Sequence, residues 1–290
     1  MTIFSPLSIT QSGQHRALRQ FMHNPAGIAG LLILLLVIAM AVVAPWIYPG
    51  DPLDMVASPL LKPGDDLTWP LGTDAMGRDL AAGIFHGARV SLLIGLGATL
   101  IGLLAGTIIG SLSGYFGGLT DNLLMRVTTL FQTMPAFLLV IIILSITTPS
   151  VWLITLSIGI TTWPTIARLV RAEFRTLRES DFVLAARCQG FSSLHIITRE
   201  MLPNALPTII VTSSVMVASA ILMEAALSFL GLGDPNAVSW GFLIGSGREM
   251  LRTAWYLTAI PGIALVVTLL GLNLLGDALN DAFNPRLSEQ

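Results

Sequence analysis

Apolar residues in this chain gather into long runs separated by short polar intervals. Ile28 to Ala44 is unbroken apolar sequence ending at Pro45, Trp46 and Tyr48, and it predicts a first membrane helix over 28–47. Further runs predict helices over 88–114, 122–146, 151–170, 205–232 and 254–275. Each approaches or exceeds the roughly 20 residues a helix needs to cross a bilayer. Prolines punctuate them: Pro135 predicts a kink inside the third run, Trp163 and Pro164 lie in the fourth, Pro203 and Pro207 open the fifth, and Pro261 stands near the start of the sixth. The pattern predicts an all-α integral membrane protein with six transmembrane helices.

The polar intervals are unequal. Residues 1–27 form a polar leader with Arg16 and Arg19. A cleaved signal peptide is the alternative there, since Ala39 and Ala41 make a small-x-small site, but the long leader and aromatic end favour a retained helix. The interval 48–87 is rich in Pro, Gly and Asp and shows only a short helical pattern near Leu80 to Phe85. Gly117 and Gly118 predict a tight turn, 147–150 a minimal one, and 233–253 a loop built on Asp234-Pro235-Asn236. Residues 276–290 form a tail.

The interval 171–204 differs from the others. With Arg168 ahead of it, it holds Arg171, Arg175, Arg178, Arg187 and Arg199, which predicts a cytoplasmic segment. Its interior reads as a helix from Phe182 to Cys188 behind a cap at Ser180 or Asp181, a stop at Gly190, and a restart behind Ser192 or Ser193. The result is a compact knob between the fourth and fifth helices. Counting charges fits that orientation. Arg16, Arg19, Arg126, Arg168, Arg171, Arg175, Arg178, Arg187, Arg199 and Arg286 fall inside, and Lys62, Arg78, Arg89, Arg248 and Arg252 fall outside. Both termini are then cytoplasmic, with Trp46, Trp152, Trp240 and Trp255 near the outer face.

Composition narrows the function. Hydrophobic residues are 53% of the chain and charged residues 11%, too few charges to cover a water-soluble surface. No basic cluster is interleaved with aromatics, so a nucleic-acid groove is not expected. The one cysteine, Cys188, has no partner for an intramolecular disulfide. The one lysine, Lys62, lies in Leu61-Lys62-Pro63 and cannot serve a phosphate-cradling loop, which needs Lys followed by Ser or Thr after a glycine-rich turn. His15, His23, His86 and His195 never fall within a helical turn of each other, so no self-contained metal site is expected. No nucleophile elbow or zinc-hydrolase helix is present, which leaves an intramembrane enzyme without a catalytic constellation.

Three features inside the runs call for a role. Gly102, Gly106, Gly110 and Gly114 recur every fourth residue, a stripe that lets another helix approach closely. Glu224 is a carboxylate within the fifth run. It either pairs inside the bundle, faces a water-filled pathway as a gate, or snorkels, and Asn273 in the sixth run is a polar companion. Asp277 and Asp281 share a helical face past the sixth run, where they either oppose arginines of the knob or stand as solvated charge.

The knob itself carries a resemblance. Leu184-Ala185-Ala186, Gly190 and Leu202-Pro203-Asn204 at this spacing resemble the EAA loop of ABC importer membrane subunits, which forms the coupling helix that docks on a partner ATPase. Two positions depart from the pattern: Leu184 stands where Glu is nominal, removing any Glu-mediated contact, and Glu200 where His is frequent. Leu71-Gly72-Thr73-Asp74 with Gly77-Arg78-Asp79 is similar to the signature ahead of the second helix in the "C" permeases of dipeptide, oligopeptide and nickel importers. Ala88-Arg89-Val90-Ser91-Leu92, Gly114-Tyr115-Phe116-Gly117-Gly118, Ser228-Phe229-Leu230-Gly231-Leu232-Gly233, Trp240-Gly241 and Asn273-Leu274-Leu275-Gly276-Asp277-Ala278-Leu279 match the same group, so the resemblance covers about residues 20–287.

The resemblance implies a type I importer permease fold with its permease domain over 88–287, in a bacterial cytoplasmic (inner) membrane. It implies a homologous "B" permease, two ATP-binding subunits that hold ATP and Mg, and a periplasmic or lipid-anchored solute-binding protein, with no cofactor in this chain. The implied cargo is a dipeptide or oligopeptide; nickel, a metal chelate or an opine-like solute is the alternative. Arg78, Asp79, Arg248 and Glu249 are candidates for docking the binding protein, or simply solvated loop charges. The competing class is an autonomous channel or secondary carrier working through Glu224, which has no use for the knob.

Overall fold

The computed structural model describes residues 21–283; Arg16, Arg19, Arg286 and most of the leader and the end of the tail lie outside the described residues. Helix α1 (Pro25–Ile47) starts where Asn24 accepts hydrogen bonds from the Ala26 and Gly27 amides and Pro25 presets the first turn. It buries Gly27, Gly30, Leu34, Val37, Ala41 and Ala44 and leaves the leucines between them exposed, as a peripheral membrane helix does.

The connection after α1 holds itself together. Thr73 donates its hydroxyl to the Ser58 carbonyl at 2.6 Å and accepts from the Leu61 amide, while Asp74 accepts from the Met76 and Arg78 amides. Gly72 has φ +79°, and a Cβ there would strike the Leu61 carbonyl. Helix α2 (Leu80–Phe116) follows, capped by Asp79, which accepts from the Ala81 amide at 2.8 Å. The loop expected over 48–87 therefore ends at Asp79, and the short pattern near Leu80–Phe85 is the first turns of α2, not a separate helix. His86 and Arg89 break the apolar run there but not the helix.

The third span, expected as one kinked helix over 122–146, is two helices, α3 (Gly118–Thr133) and α4 (Ala136–Ile146), bent by 76°. Pro135 has no N–H to continue α3, and it pushes Met134 into extended backbone at φ −95°, ψ 133°. Helix α5 (Val151–Arg178) runs past the expected end at 170, because its arginines leave the apolar layer without leaving the helix. Next come α6 (Asp181–Cys188), the single turn α7 (Ser193–His195), a π-helical stretch (Ile196–Met201) and α8 (Leu202–Phe229), which starts ahead of the expected 205. The loop expected over 233–253 contains α9 (Trp240–Gly247) and a 3₁₀ turn (Arg248–Met250). Helix α10 (Tyr256–Phe283) covers the sixth span and continues into the expected tail.

Among the described residues, five helices are long and apolar enough to cross a membrane, six if the bent pair counts as one span. Helices α2, α5 and α8 form the centre, with α1 against α10 on one side and α3–α4 on the other. α9 lies so close on α8 that a Cβ at Gly241 would be 2.5 Å from the Ala225 Cα. One core cluster joins α1, α2, α8, α9 and α10, a second the knob to α2, α5 and α8, and a third α4 to α2, α5 and α8.

Candidate functional site

The knob stands on α5 and α8. Val183 and Ala186 are buried with Val170 and Phe174 of α5 and with Ile196, Ile197 and Met201 of the π-helical stretch, and this cluster continues into the bundle at Ile166 and Ile209. The other face of α6 is bare: Leu184 is 46% exposed and Ala185 is exposed beside it. The Gly190 amide donates to the Arg187 carbonyl and the Phe191 amide to the Ala186 carbonyl, the paired bonds of a helix end whose residue beyond the cap is left-handed. Gly190 supplies that residue at φ +79°, and a Cβ there would meet nothing within 4 Å. Ser192 then caps the restart at the His195 amide, Phe191 stacks on His195 with ring centroids 4.6 Å apart, and the Arg187 guanidinium lies 5.2 Å from the Tyr115 ring centroid.

The seven motif residues thus divide. Leu184, Ala185 and Gly190 form the outward surface and Ala186 the inward anchor. Leu202, Pro203 and Asn204 start α8, where the Asn204 amide nitrogen donates to the Glu200 carbonyl at 2.6 Å. Pro203 has no N–H to give the turn before it, and Asn204 adds a side-chain donor to the Glu200 carbonyl in a stretch already widened to π geometry.

The glycine stripe faces α5. A Cβ on Gly102 would be 2.6 Å from the Thr162 hydroxyl oxygen, on Gly110 2.6 Å from the Ala167 carbonyl, and on Gly114 2.5 Å from the Phe174 Cβ. Where α2 ends, Asp121 of α3 accepts two hydrogen bonds from the Arg171 guanidinium and one from the Ser113 hydroxyl. The sequence offered no periodic signal for this fork; an acidic residue in the first turn after Gly117-Gly118 was the available cue.

Glu224 is 1% exposed. Ser228 donates to it at 2.7 Å and Ser91 at 3.4 Å, with Ser239 facing it as well. Ser91 in turn accepts from the Trp240 amide, and the Trp240 indole donates to the Ile84 carbonyl, so the carboxylate joins α2, α8 and α9. Trp240 is fully buried, unlike the exposed Trp46, Trp152 and Trp255, and cannot be the interfacial anchor expected of it. Glu224→Gln keeps an acceptor and should cost less than about 1 kcal/mol, whereas Glu224→Leu strips the acceptor from buried hydroxyls and should cost about 2 kcal/mol. Thermal unfolding of the detergent-solubilised chain measures both, and equal losses would mean that the serines do not matter.

The remaining candidates are scattered. Asp79 is 6% exposed and used as a cap, which removes it from a docking surface; burial pushes its carboxyl above the usual range, opposed by bonds from the Ala81 and Ala82 amides. Arg78 is half-buried. Arg248 and Glu249 are exposed, and Arg248 donates to the Phe229 carbonyl at 2.9 Å. Asn273 is exposed on α10, away from Glu224. Asp281 accepts from Asn24 of α1 and not from an arginine of the knob. Asp234, which the sequence marked only as a turn residue, also accepts from the Val151 amide at 3.0 Å and ties the start of α5 to the loop after α8.

Comparison with known proteins bears on this geometry. A family profile described as "Binding-protein-dependent transport system inner membrane component" matches residues 106–289, and one described as "N-terminal TM domain of oligopeptide transport permease C" matches residues 14–63. The chain is 37% identical over 275 residues to the di/tripeptide transport system permease protein DppC of Pseudomonas aeruginosa, covering 93% of this chain and 91% of that one. It is 37% identical over 276 residues to the oligopeptide transport system permease protein OppC of Haemophilus influenzae, covering 93% and 88%. Among solved structures, an inward-facing MetNI methionine ABC transporter matches with TM-score 0.58 at 16% identity, over 70% of this chain and 96% of that one, a likeness of fold.

Proposed function

The chain belongs to the binding-protein-dependent transport system inner membrane components, and from that premise we propose that it is the permease subunit of an ATP-driven importer of dipeptides or oligopeptides. A homologous second permease completes the passage, two ATP-binding subunits hold ATP and Mg beneath it, and a solute-binding protein delivers peptide from outside. The membrane is the bacterial cytoplasmic membrane, with the knob inside. ATP hydrolysis is assigned to the ATP-binding subunits, since the one lysine of this chain, Lys62, is followed by Pro63 and cannot serve a phosphate-cradling loop.

What carries this reading is the construction of the knob. Its inner face is packed into the cluster that contains α5 and α8, so it cannot tilt without moving them. Its outer face offers Leu184, Ala185 and a bare Gly190 where a partner's surface can approach the backbone. Closure of the ATP-binding subunits then pushes a rigid lever, and two packings of the bundle alternate in which side is open. Arg248 and Glu249, exposed at the opposite end, are the docking candidates that remain for the solute-binding protein.

The test is uptake of labelled dipeptide by the complex reconstituted with its partner subunits. Gly190→Asp should assemble normally and lose at least about tenfold in uptake and in peptide-stimulated ATP hydrolysis, because a charged side chain now stands at the contact. Gly190→Ala should show the backbone cost alone, about 1 kcal/mol of stability for a left-handed residue that is no longer glycine. Wild-type uptake in Gly190→Asp would remove the knob from the coupling surface.

A further inference from the structure

The break between α3 and α4 lies deep in the membrane. The Phe131 ring meets the Trp163 ring edge-on at 5.3 Å, and Trp163 sits about 18 Å along α5 from its outer end, in an apolar layer of about 30 Å. At this depth the chain leaves helical hydrogen bonding. The last carbonyls of α3 and the first amides of α4 have no partners within their own helices, Pro135 offers no N–H, and no side chain caps α4. Thr133 returns its hydroxyl to the Leu130 carbonyl, which covers one group of several. Residues 130–135 are all exposed, Gln132 and Thr133 among them. Lipid does not tolerate such backbone; it persists at this depth only inside protein or along water.

Arg168 indicates which of the two applies. An ionisable residue within a span faces the bundle interior or a water-filled cavity. Arg168 is exposed on α5, and its guanidinium donates to the Thr129 hydroxyl at 3.2 Å, one turn before the break. An open cleft of about 510 Å³, lined by Asn122, Arg126, Thr129 and Leu130, leads from the Asp121–Arg171 fork up to the same place. A cation beside the exposed side chains of Thr129, Gln132 and Thr133 suits water better than an apolar partner surface.

We propose that the α3–α4 break, with Gln132, Thr133 and Arg168 around it, is part of the wall of the aqueous passage. There it touches a passing peptide through the peptide's backbone amides, since free carbonyls and amides at the break recognise a main chain whatever its side chains. This rests on the importer reading above.

The experiment uses the assembled complex in proteoliposomes and a membrane-impermeant trimethylammonium methanethiosulfonate, with labelled sites separated from native Cys188 by peptide mass spectrometry. Gln132→Cys and Thr133→Cys should react at least about tenfold faster than Leu36→Cys, which is exposed on the outside of α1. Saturating dipeptide should slow both. Rates equal to Leu36→Cys would mean that the break faces lipid. Labelling in the isolated chain but not in the complex would mean that the second permease covers it. Either result overturns the proposal, and unslowed labelling in a complex that does import the dipeptide overturns the peptide contact. A complex that labels rapidly yet imports no peptide would instead sink the peptide-import reading and leave the aqueous wall standing.

Discussion

Gly106→Leu should leave almost no folded chain. A Cβ at this position would lie 2.6 Å from the Ile166 Cβ and 2.8 Å from the Trp163 carbonyl oxygen. The first neighbour is a side chain near its root and the second is backbone, so neither can rotate away. Helices α2 and α5 would have to separate along a seam that runs from Gly102 to Gly114, and Gly159 of α5 would lose its matching contact with Ile101. Overpacking a close-fitted core costs about 1–3 kcal/mol where side chains can yield. Here the obstruction includes main chain, so the cost should exceed about 3 kcal/mol, against a total stability of about 5–15 kcal/mol for a typical protein. Fluorescence-detected size-exclusion chromatography should show at least about a tenfold loss of monodisperse protein, while Leu104→Ala on the exposed face of α2 stays near wild type. Gly106→Ala should be milder, and Ile166→Ala should relieve it only slightly, since that change removes the Ile166 Cγ2 at 2.7 Å but keeps the Cβ at 2.6 Å and the Trp163 carbonyl. A full yield of Gly106→Leu would mean that α2 and α5 do not meet along this stripe.

That stripe was legible because it needs only spacing: glycine every fourth residue marks one helix face, and the face lies on α5. The punctuation of the knob was legible for a similar reason. Gly190 and Ser192 act on their own neighbours, and local hydrogen bonds are written locally; Ser180 stands at the start of α6 as expected, but its hydroxyl donates back to the Leu177 carbonyl and caps no amide of α6. Helix ends were harder. Hydropathy reports where the apolar layer stops, whereas α2 and α5 continue beyond it, so their starts and ends at Leu80 and Arg178 were misplaced. Pro135 announced a disturbance, but a proline does not say whether a helix bends or breaks; the 76° angle depends on how α4 packs against α2, α5 and α8. Least legible were contacts between distant positions. The serines around Glu224 come from three parts of the chain, and nothing in spacing joins Ser91 to Glu224 or Asp121 to Arg171.

The Asp121–Arg171 fork should show the second largest effect. Arg171 donates through both Nε and a terminal nitrogen, at 2.5 and 2.7 Å, and Ser113 donates to the same carboxylate, so one aspartate holds the end of α2, the start of α3 and the inner part of α5 together. The side chains are 27% and 14% exposed, which shields the pair without fully desolvating it. A two-bond fork of this kind is stronger than a surface pair worth about 0.2–1 kcal/mol, and weaker than a fully buried one whose disruption costs about 3–5 kcal/mol. Asp121→Ala should therefore lower stability by about 2 kcal/mol, because it strands a guanidinium and removes the acceptor for Ser113. Arg171→Ala should cost about the same. The double variant should cost at least about 1 kcal/mol less than the two singles together, since the stranded charge disappears with its partner. Exchanging the residues should not restore stability, for an arginine at 121 meets the Ser113 hydroxyl where the carboxylate had accepted from it. Raising the salt concentration separates the possibilities further: a solvated pair is screened away, while this one should keep most of its effect. Thermal melts of the four variants at low and high salt give the coupling directly. Additive losses that vanish in salt would reduce the fork to ordinary surface charge, and α3 would then have to be anchored by its packing alone.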